Sequence, residues 1–426
     1  MIRIAAHLVR RALLLGACAL AAHPLAAQQT VEMPRRDRAV EVPMEEVFSV
    51  GTFDGADWET FGDIRQVAFD GSGNLYILDA QTSRFVIVDR NGAFVRMWGE
   101  EGEGPGEWRN AVGAAVFRDG TVAIADMGHG SIQVFDAQGG YLGSAPLRDG
   151  GVTRVGRIQP DPRGGALFNG GGSTRMSMEY DGSGPPPSLP DFRPVERVVL
   201  GDAPSKEVFY RAWQAPRGEP SRMTAGGAQV MMMAGPKHFE PGLQVAVLPE
   251  GGVAVVDSSA YAVKILDENG RPVRRVTRAI EPVEVTERIQ RAEIQRQIDQ
   301  LESGEGPRMR IVTNDGSGAR EMPRDEINRM MRQRIEGQGF YPEIPVVRSL
   351  ASGWNGLLWL ERSRVSPDEP GPIDLFTATG EYRGTIDEDG PRIPDAFGPD
   401  GLVAYIERDE MDVPTVVVRR LPAAAR

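Results

Sequence analysis

The clearest regularity along the chain is a short apolar run that recurs after a turn rich in Gly or Asn. It reads LYIL after Gly73-Asn74, VAIA after Gly120-Thr121, ALF after Gly165, VAVV after Gly252, LLWL after Gly356 and LVAYI after Gly401. Runs this short, rich in β-branched and aromatic residues and bounded by Gly, Asp and Asn, predict strands rather than helices. Around the first run, Ile64 to Trp108 predicts four strands separated by tight turns: Val67 to Phe69, Leu75 to Leu78, Phe85 to Val88 and Phe94 to Trp98. Val112 to Leu147 repeats the same order. A lone four-stranded meander cannot bury both of its faces, so its copies must stack beside it.

Gly73, Gly120, Gly164, Gly251, Asn355 and Gly401 can be set at one turn position, and six residues later the chain carries Asp79, Asp126, Asp257, Glu361 and Glu407. The third copy is degenerate, with Asn169 and Gly170 at that place. The interval is 47 residues from Asp79 to Asp126 and 46 from Glu361 to Glu407, the length of one propeller blade. The expected fold is therefore all-β, a six-bladed β-propeller over residues 41–421 with insertions at 201–240 and 281–340. The last copy supplies only three strands, ending with Thr415 to Arg420. Glu45 to Val50 is predicted to complete it, which would remove an exposed edge.

The insertion at 201–240 is expected to follow an outer strand of blade three at Arg197 to Leu200. The insertion between blades four and five reads as helical. Thr286, Ile289, Ile294, Ile298 and Leu301 suit one helix, and Asp325, Ile327, Met330, Met331 and Ile335 a second, with breaks at Gly304 to Pro307 and at Pro323. Both insertions are expected over the top face, where outer strands lead to the next inner strand. There the Met231 to Met233 run and the helices would form a lid, a peptide-binding surface or simple rim packing. Residues 28–40 read as a flexible segment and 422–426 as a tail.

The stretch VAFDGSGNLYILDAQTSRFVIVDRNGAFVRMWGEEGEGPGEW resembles the repeat of six-bladed propellers of the NHL-like group, whose secreted bacterial members have no assigned role. Within it, Gly102 to Trp108 (GEGPGEW) resembles the loop that joins consecutive blades in that group. The resemblance implies the ring and leaves function open, because the same repeat carries protein binders, sugar-lactone hydrolases and amidating lyases.

Composition changes this picture mainly at the N-terminus. Arg3, Arg10 and Arg11, the uncharged run Ala12 to Ala22 and the segment ending Leu25-Ala26-Ala27 have the layout of a secretory signal peptide over residues 1–27. The run is too short to remain as a transmembrane helix. The single cysteine, Cys18, lies inside this leader, so the mature chain would hold no disulfide. A second reading takes Leu15-Gly16-Ala17-Cys18 as a lipoprotein processing site and the protein as anchored to the outer membrane. The formal net charge is −12, and removal of residues 1–27 leaves 45 Lys plus Arg against 60 Asp plus Glu. Such a surface repels phosphate backbones, so nucleic acid is not an expected partner.

The repeated acids are expected to cap the turn after each second strand, since a reaction needs unlike groups about one point. Chemistry is more plausible on the inner strands, where seven residues before the common turn stand Gln66, Gly113, Arg157, Gln244, Arg348 and Pro394. Two residues further on stand Ala68, Ala115, Gln159, Ala246, Leu350 and Ala396. The first set would give a polar layer around the channel, which is either a water-filled lining that does nothing more or a site where Gln66 and Gln244 hydrogen-bond a small ligand, with Arg157 and Arg348 as partners for an anion. His129, in the turn Met127-Gly128-His129-Gly130, is the remaining candidate and is expected to face solvent.

No catalytic set is evident. Outside the leader only His129 and His238 remain, too few for a three-His zinc site. Calcium would need an oxygen cage for which no DxDxDG loop exists, so no cofactor is expected. The expected role is a secreted or periplasmic propeller that binds a small molecule, a peptide or an envelope protein. The rivals are a metal-dependent lactonase-like or lyase-like enzyme and an envelope-anchored structural or assembly lipoprotein. Mass spectrometry of the mature N-terminus checks the leader: the expected start is at or near Gln28, and a lipid on Cys18 would establish the anchored form instead.

Overall fold

The computed structural model describes residues 28–149, 152–172, 175–178, 190–217, 221–225, 228–232, 235–303, 310–312, 319–321, 324–409 and 411–423. The expected leader with Cys18, together with Met233, Gly304 to Pro307 and Pro323, lies outside the described residues.

Six four-stranded antiparallel sheets form a propeller. Blade 1 comprises Ile64–Phe69, Leu75–Asp79, Arg84–Val88 and Phe94–Trp98, and blade 2 comprises Ala111–Val116, Val122–Asp126, Ser131–Phe135 and Tyr141–Pro146. Blade 3 comprises Ile158–Pro160, Ala166–Asn169, Arg193–Val199 and Ser205–Ala212, and blade 4 comprises Gln244–Val247, Val253–Val256, Ala262–Leu266 and Pro272–Thr277. Blade 5 comprises Val347–Ser352, Leu357–Arg362, Ile373–Thr377 and Tyr382–Ile386. Blade 6 takes Ala396–Phe397, Leu402–Arg408 and Pro414–Arg420 from the end of the chain and Glu45–Val50 from its beginning, with Ser49 opposite Val417.

The second strand of each blade explains why the copies stack. Successive side chains of a strand point to opposite faces. In blade 1, Leu75 and Ile77 pack towards blade 6 while Tyr76 and Leu78 pack towards blade 2. In blade 2, Val122 and Ile124 face blade 1, and Ala123 and Ala125 face blade 3. Val253 and Val255 against Ala254 and Val256, then Leu358 and Leu360 against Leu357 and Trp359, continue the alternation through blades 4 and 5. A strand apolar on both faces reads as an unbroken hydrophobic run, which is what the sequence shows.

The N-terminal segment departs from expectation. Residues 28–40, read as flexible, are bound to the rim: Gln29–Glu32 pairs in parallel with the outer strand of blade 4, and Ala39 bridges Thr385 of blade 5. The segment then enters blade 6, so a strap links three blades from outside. It is fastened by Arg278, whose buried guanidinium donates to Pro34 O (2.8 Å), Asp37 (2.6 Å) and Asp374 (2.7 Å). Burial alone would raise the Asp37 pKa, but hydrogen bonds and charge from Arg362 and Arg278 outweigh it and hold the carboxyl below its ordinary value.

Blade 3 is also corrected. Arg197 belongs to its third strand, and the outer strand is Ser205–Ala212, inside the segment read as an insertion. A long excursion between the second and third strands displaces the hairpin from the regular spacing, and Arg175–Met178 within it pairs with Val152–Val155. The helical insertion forms as expected between blades 4 and 5, with α1 at Glu287–Glu302 and α2 at Arg324–Gly337. Thr286 caps α1 by accepting from Ile289 N. Ile298, Leu301 and Ile335 form the buried seam between the helices. His238, from the segment that follows blade 3, stacks on Phe340, places Nε2 3.1 Å from Ile335 O and meets Gln297 through Nδ1. The two insertions therefore meet on one face.

Asp374→Ala should cost about 3–5 kcal/mol, because it removes the fully buried partner of Arg278 and leaves that charge with only the half-exposed Asp37 as its acidic partner. Asp37→Ala should cost clearly less, since its side chain is 45% exposed and water can replace it. Urea denaturation of both variants checks this, and equal losses would refute the role given to burial.

Candidate functional site

The six inner strands surround a central channel that holds a cavity of about 170 Å³. For comparison, a dry engineered cavity of about 150 Å³ accepts benzene, so a ligand the size of one ring fits. The upper face carries the blade-to-blade links and both insertions. The lower face carries the turns between first and second strands. Gln66, Arg118, Arg157, Gln159, Trp354 and Asp395 supply the chemistry of the lining.

Two of these groups are structural stitches. Gln66 Oε1 accepts from Ala114 N at 2.8 Å while its Nε2 donates to Ala114 O, joining blade 1 to the inner strand of blade 2. Gln159 does the same between blades 3 and 4, donating to Val245 O at 3.0 Å and accepting from Val247 N at 3.3 Å. Inner strands are sheet edges, and each carboxamide satisfies backbone groups that have no strand partner there. Gln66 pairs with Leu78, just before Asp79, and Gln159 pairs with Phe168, just before Asn169. They are equivalent positions. Counting from the turn put Arg157 opposite Gln66 because the first hairpin of blade 3 is shorter.

Arg157 behaves differently. It is exposed to the open space of the channel, and among the described residues its guanidinium makes no hydrogen bond or ion pair. Desolvation pulls its pKa down, with the charge of Asp395 acting in the opposite sense. Asp395 is itself committed to Arg392 and to Ile406 N, both at 2.7 Å. Asp161, the other lining carboxylate, is held by Arg163 at 2.7 Å and Arg197 at 3.1 Å. The uncompensated charge in the cavity is thus positive, within a chain whose net charge is −12.

The other candidates lie elsewhere. Gln244 sits on the inner strand opposite Val256 without lining the cavity. Arg348 is exposed and spent on Glu361 (3.3 Å) and Glu369 O (2.8 Å). His129 is mostly covered rather than facing solvent: Nδ1 meets Asp126 and Nε2 lies 3.5 Å from Glu103 of the GEGPGEW loop. Its Nε2 is shielded from solvent and has no hydrogen-bond partner, so no substrate reaches it in this arrangement. The structure therefore brings together Gln66 and Arg157, and not Gln244, Arg348 and His129.

Three of the five repeated acids, Asp79, Asp126 and Asp257, cap backbone N–H groups as their recurrence suggests. Glu361 accepts from Ser349 Oγ (2.9 Å) and Gly371 N (3.3 Å), and Glu407 pairs with Arg419 instead of capping. Asp79 accepts from Asp63 N (3.0 Å), Gln81 N (3.1 Å) and Thr82 Oγ1 (2.8 Å). Asp126 accepts from Asn110 N (2.9 Å) and Gly128 N (2.8 Å), and Asp257 from Trp213 N (2.8 Å). Asn169 fills the same place in blade 3 through Gly156 N at 2.8 Å. Among the described residues no group of three or more His, Cys, Asp or Glu is placed to hold a metal ion.

Arg118 and Trp354 were not singled out from sequence. Arg118 stands in the first turn of blade 2 and Trp354 in the first turn of blade 5, and consecutive blades are neighbours around the ring, so the two are opposite. The Arg118 guanidinium reaches over the Trp354 ring, 4.9 Å from its centroid, across the lower mouth. Such a contact contributes about 1 kcal/mol. No sequence signal marks either residue, because each departs from the repeat only once.

No family model matches this chain, and no curated protein matches it in sequence. Similar solved structures include a "Putative exported protein" from Bacteroides fragilis (TM-score 0.46, 11% identity, covering 93% of this chain and 99% of that one). A member of the DUF4221 family from Bacteroides vulgatus has TM-score 0.46 and 10% identity over 90% of this chain and 99% of that one. A catalytically inactive virginiamycin B lyase from Staphylococcus aureus has TM-score 0.38 and 11% identity over 88% and 99%. Among the described residues no helix is long and apolar enough to cross a membrane.

A pH titration tests the caps. Burial alone would raise the Asp126 pKa; the bonds from His129, Asn110 N, Gly128 N and Arg109 N outweigh it and hold the carboxyl below its ordinary 3.8. With the folded pKa below the unfolded one, the stabilisation is complete above that value and is lost as pH falls through the folded pKa. Asp126→Asn should therefore lower the thermal midpoint at pH 7, with the gap to wild type closing as pH drops below 3.8. A gap independent of pH would show that the charge contributes nothing.

Proposed function

We propose that this protein is an exported propeller of the NHL-like group that binds a small acidic molecule in its central channel. The observation that carries the reading is Arg157, a guanidinium exposed to the channel and without a carboxylate or carbonyl partner among the described residues. A cation that lines a concave site and is not claimed by a protein partner is free to meet a ligand. Arginine matches carboxylate and phosphate through paired N–H donors. A bound anion would meet Arg157 and, from the lower side, Arg118.

Export is supported by the leader-like N-terminus and by a sequence whose single cysteine falls within it. Membership of the NHL-like group is supported by the GEGPGEW link. Trp108 at its end is wedged among Phe85, Trp98 and Phe135, with centroids 5.8–6.3 Å away, and seals blade 1 against blade 2. Any side chain at Gly99 would strike this ring, since a Cβ there would lie 2.4 Å from it and φ is +125°.

Thermal denaturation in a panel of small carboxylates and phosphate, beside matched neutral and cationic compounds, tests the reading. A ligand present at a hundredfold excess over its Kd stabilises by about 2.7 kcal/mol, a readable shift in midpoint. The stabilising compounds should all be anions, and Arg157→Met should abolish their effect while leaving the unliganded midpoint nearly unchanged. An undiminished response in Arg157→Met would refute the assignment, as would a panel in which no anion acts.

A further inference from the structure

Two cavities meet at the lower mouth of the channel. The first is the channel itself; the second, of about 360 Å³, is a groove between blades 5 and 6 whose walls include Phe397, Pro399, Asp400 and Leu402. Both are lined by Arg118, Gly353, Trp354 and Phe397. The Arg118–Trp354 contact therefore stands between them as a bar from blade 2 to blade 5. Among the described residues Arg118 has no other side-chain partner and is exposed, so its half of the bar is held only by Trp354, which is itself packed against the core shared by blades 1 and 6. When it parts, a positive charge and the face of an indole become available side by side.

We propose that ligands reach the channel from the lower face through this bar, and that Arg118 and Trp354 select an anion carrying a flat ring. The proposal rests on the anion-binding reading of the channel and adds its route and the class of ligand. Arg157 takes the acidic group inside. Trp354, released from Arg118, stacks on the ring in the mouth, and Arg118 swings to the anion or to the groove. A guanidinium and a flat ring compete for the same indole face, so the ligand displaces the bar that excludes others.

Thiol labelling tests the route without knowledge of the natural ligand. Ala68 lines the channel and is partly exposed. In a Cys18→Ser background, Ala68→Cys supplies the sole thiol, and its labelling is followed with a sulfonate-bearing and an ammonium-bearing methanethiosulfonate. Trp354→Ala should accelerate both reagents roughly fivefold, the population gain expected when a contact of this kind is removed. Arg118→Met should open the mouth equally for the ammonium reagent. This second variant alters an exposed side chain and guards against a folding defect in the first. Unchanged rates in both variants would overturn the route.

The anion reading is judged separately: in the parent chain the sulfonate reagent should react faster than the ammonium reagent, and Arg157→Met should remove that preference. No preference in the parent would defeat the anion reading while the gate variants still report on the route. For the ring, benzoate should protect the thiol at a concentration roughly tenfold below acetate. Equal protection, or none by either, would overturn the ring preference.

Discussion

A sheet whose second strand is apolar on both faces has no stable existence by itself, and the whole molecule follows from that constraint. Each blade needs a neighbour on either side, and a ring is the arrangement in which every blade has two. The pairs Leu75/Ile77 and Tyr76/Leu78 show the rule at its simplest, one pair for each neighbour. Smaller residues in blade 2 and larger ones in blade 5, where Trp359 is fully buried, adjust the fit between unequal copies. Closure then depends on Glu45–Val50, because without it blade 6 would end in an open third strand.

Polar groups finish what apolar packing begins. The ends of second strands and the edges of inner strands carry backbone N–H and C=O groups that the sheets do not pair. Carboxylates such as Asp79 and Asp126 satisfy the first set, and the carboxamides of Gln66 and Gln159 satisfy the second by reaching into the next blade. His129 belongs to this machinery, since Asp126 holds it against the link between blades 1 and 2. The strap adds a third device. Arg278 and Asp374 lie buried between blades 4 and 5 and fasten a segment that spans their rims and continues into blade 6.

Side chains that repeat around the ring serve the ring, while among those that occur once some fasten the strap, as Arg278 does, and others line the channel. Arg157, Arg118 and Trp354 line the channel. They place positive charge and an aromatic face in the channel of an acidic protein. The lining acids Asp161 and Asp395 do not cancel that charge, because their own arginines already claim them.

The sequence by itself determined the fold class, the number of blades, the partner of the opening strand and the two helices of the insertion. These depend on local period, turn residues and copy number, all of which survive in one dimension. It also marked the capping acids Asp79, Asp126 and Asp257, since recurrence at one spacing is visible without coordinates, although the same spacing led to Glu407, which pairs with Arg419 instead. Only the tertiary structure decided which polar inner-strand residues are stitches and which is unpaired, because a short hairpin in blade 3 moves Gln159, not Arg157, into the place of Gln66. It alone brought the turns of blades 2 and 5 together across the mouth. Arg118 and Trp354 stand more than two hundred residues apart, and their meeting is set by the diameter of a closed ring, a length that no stretch of sequence contains.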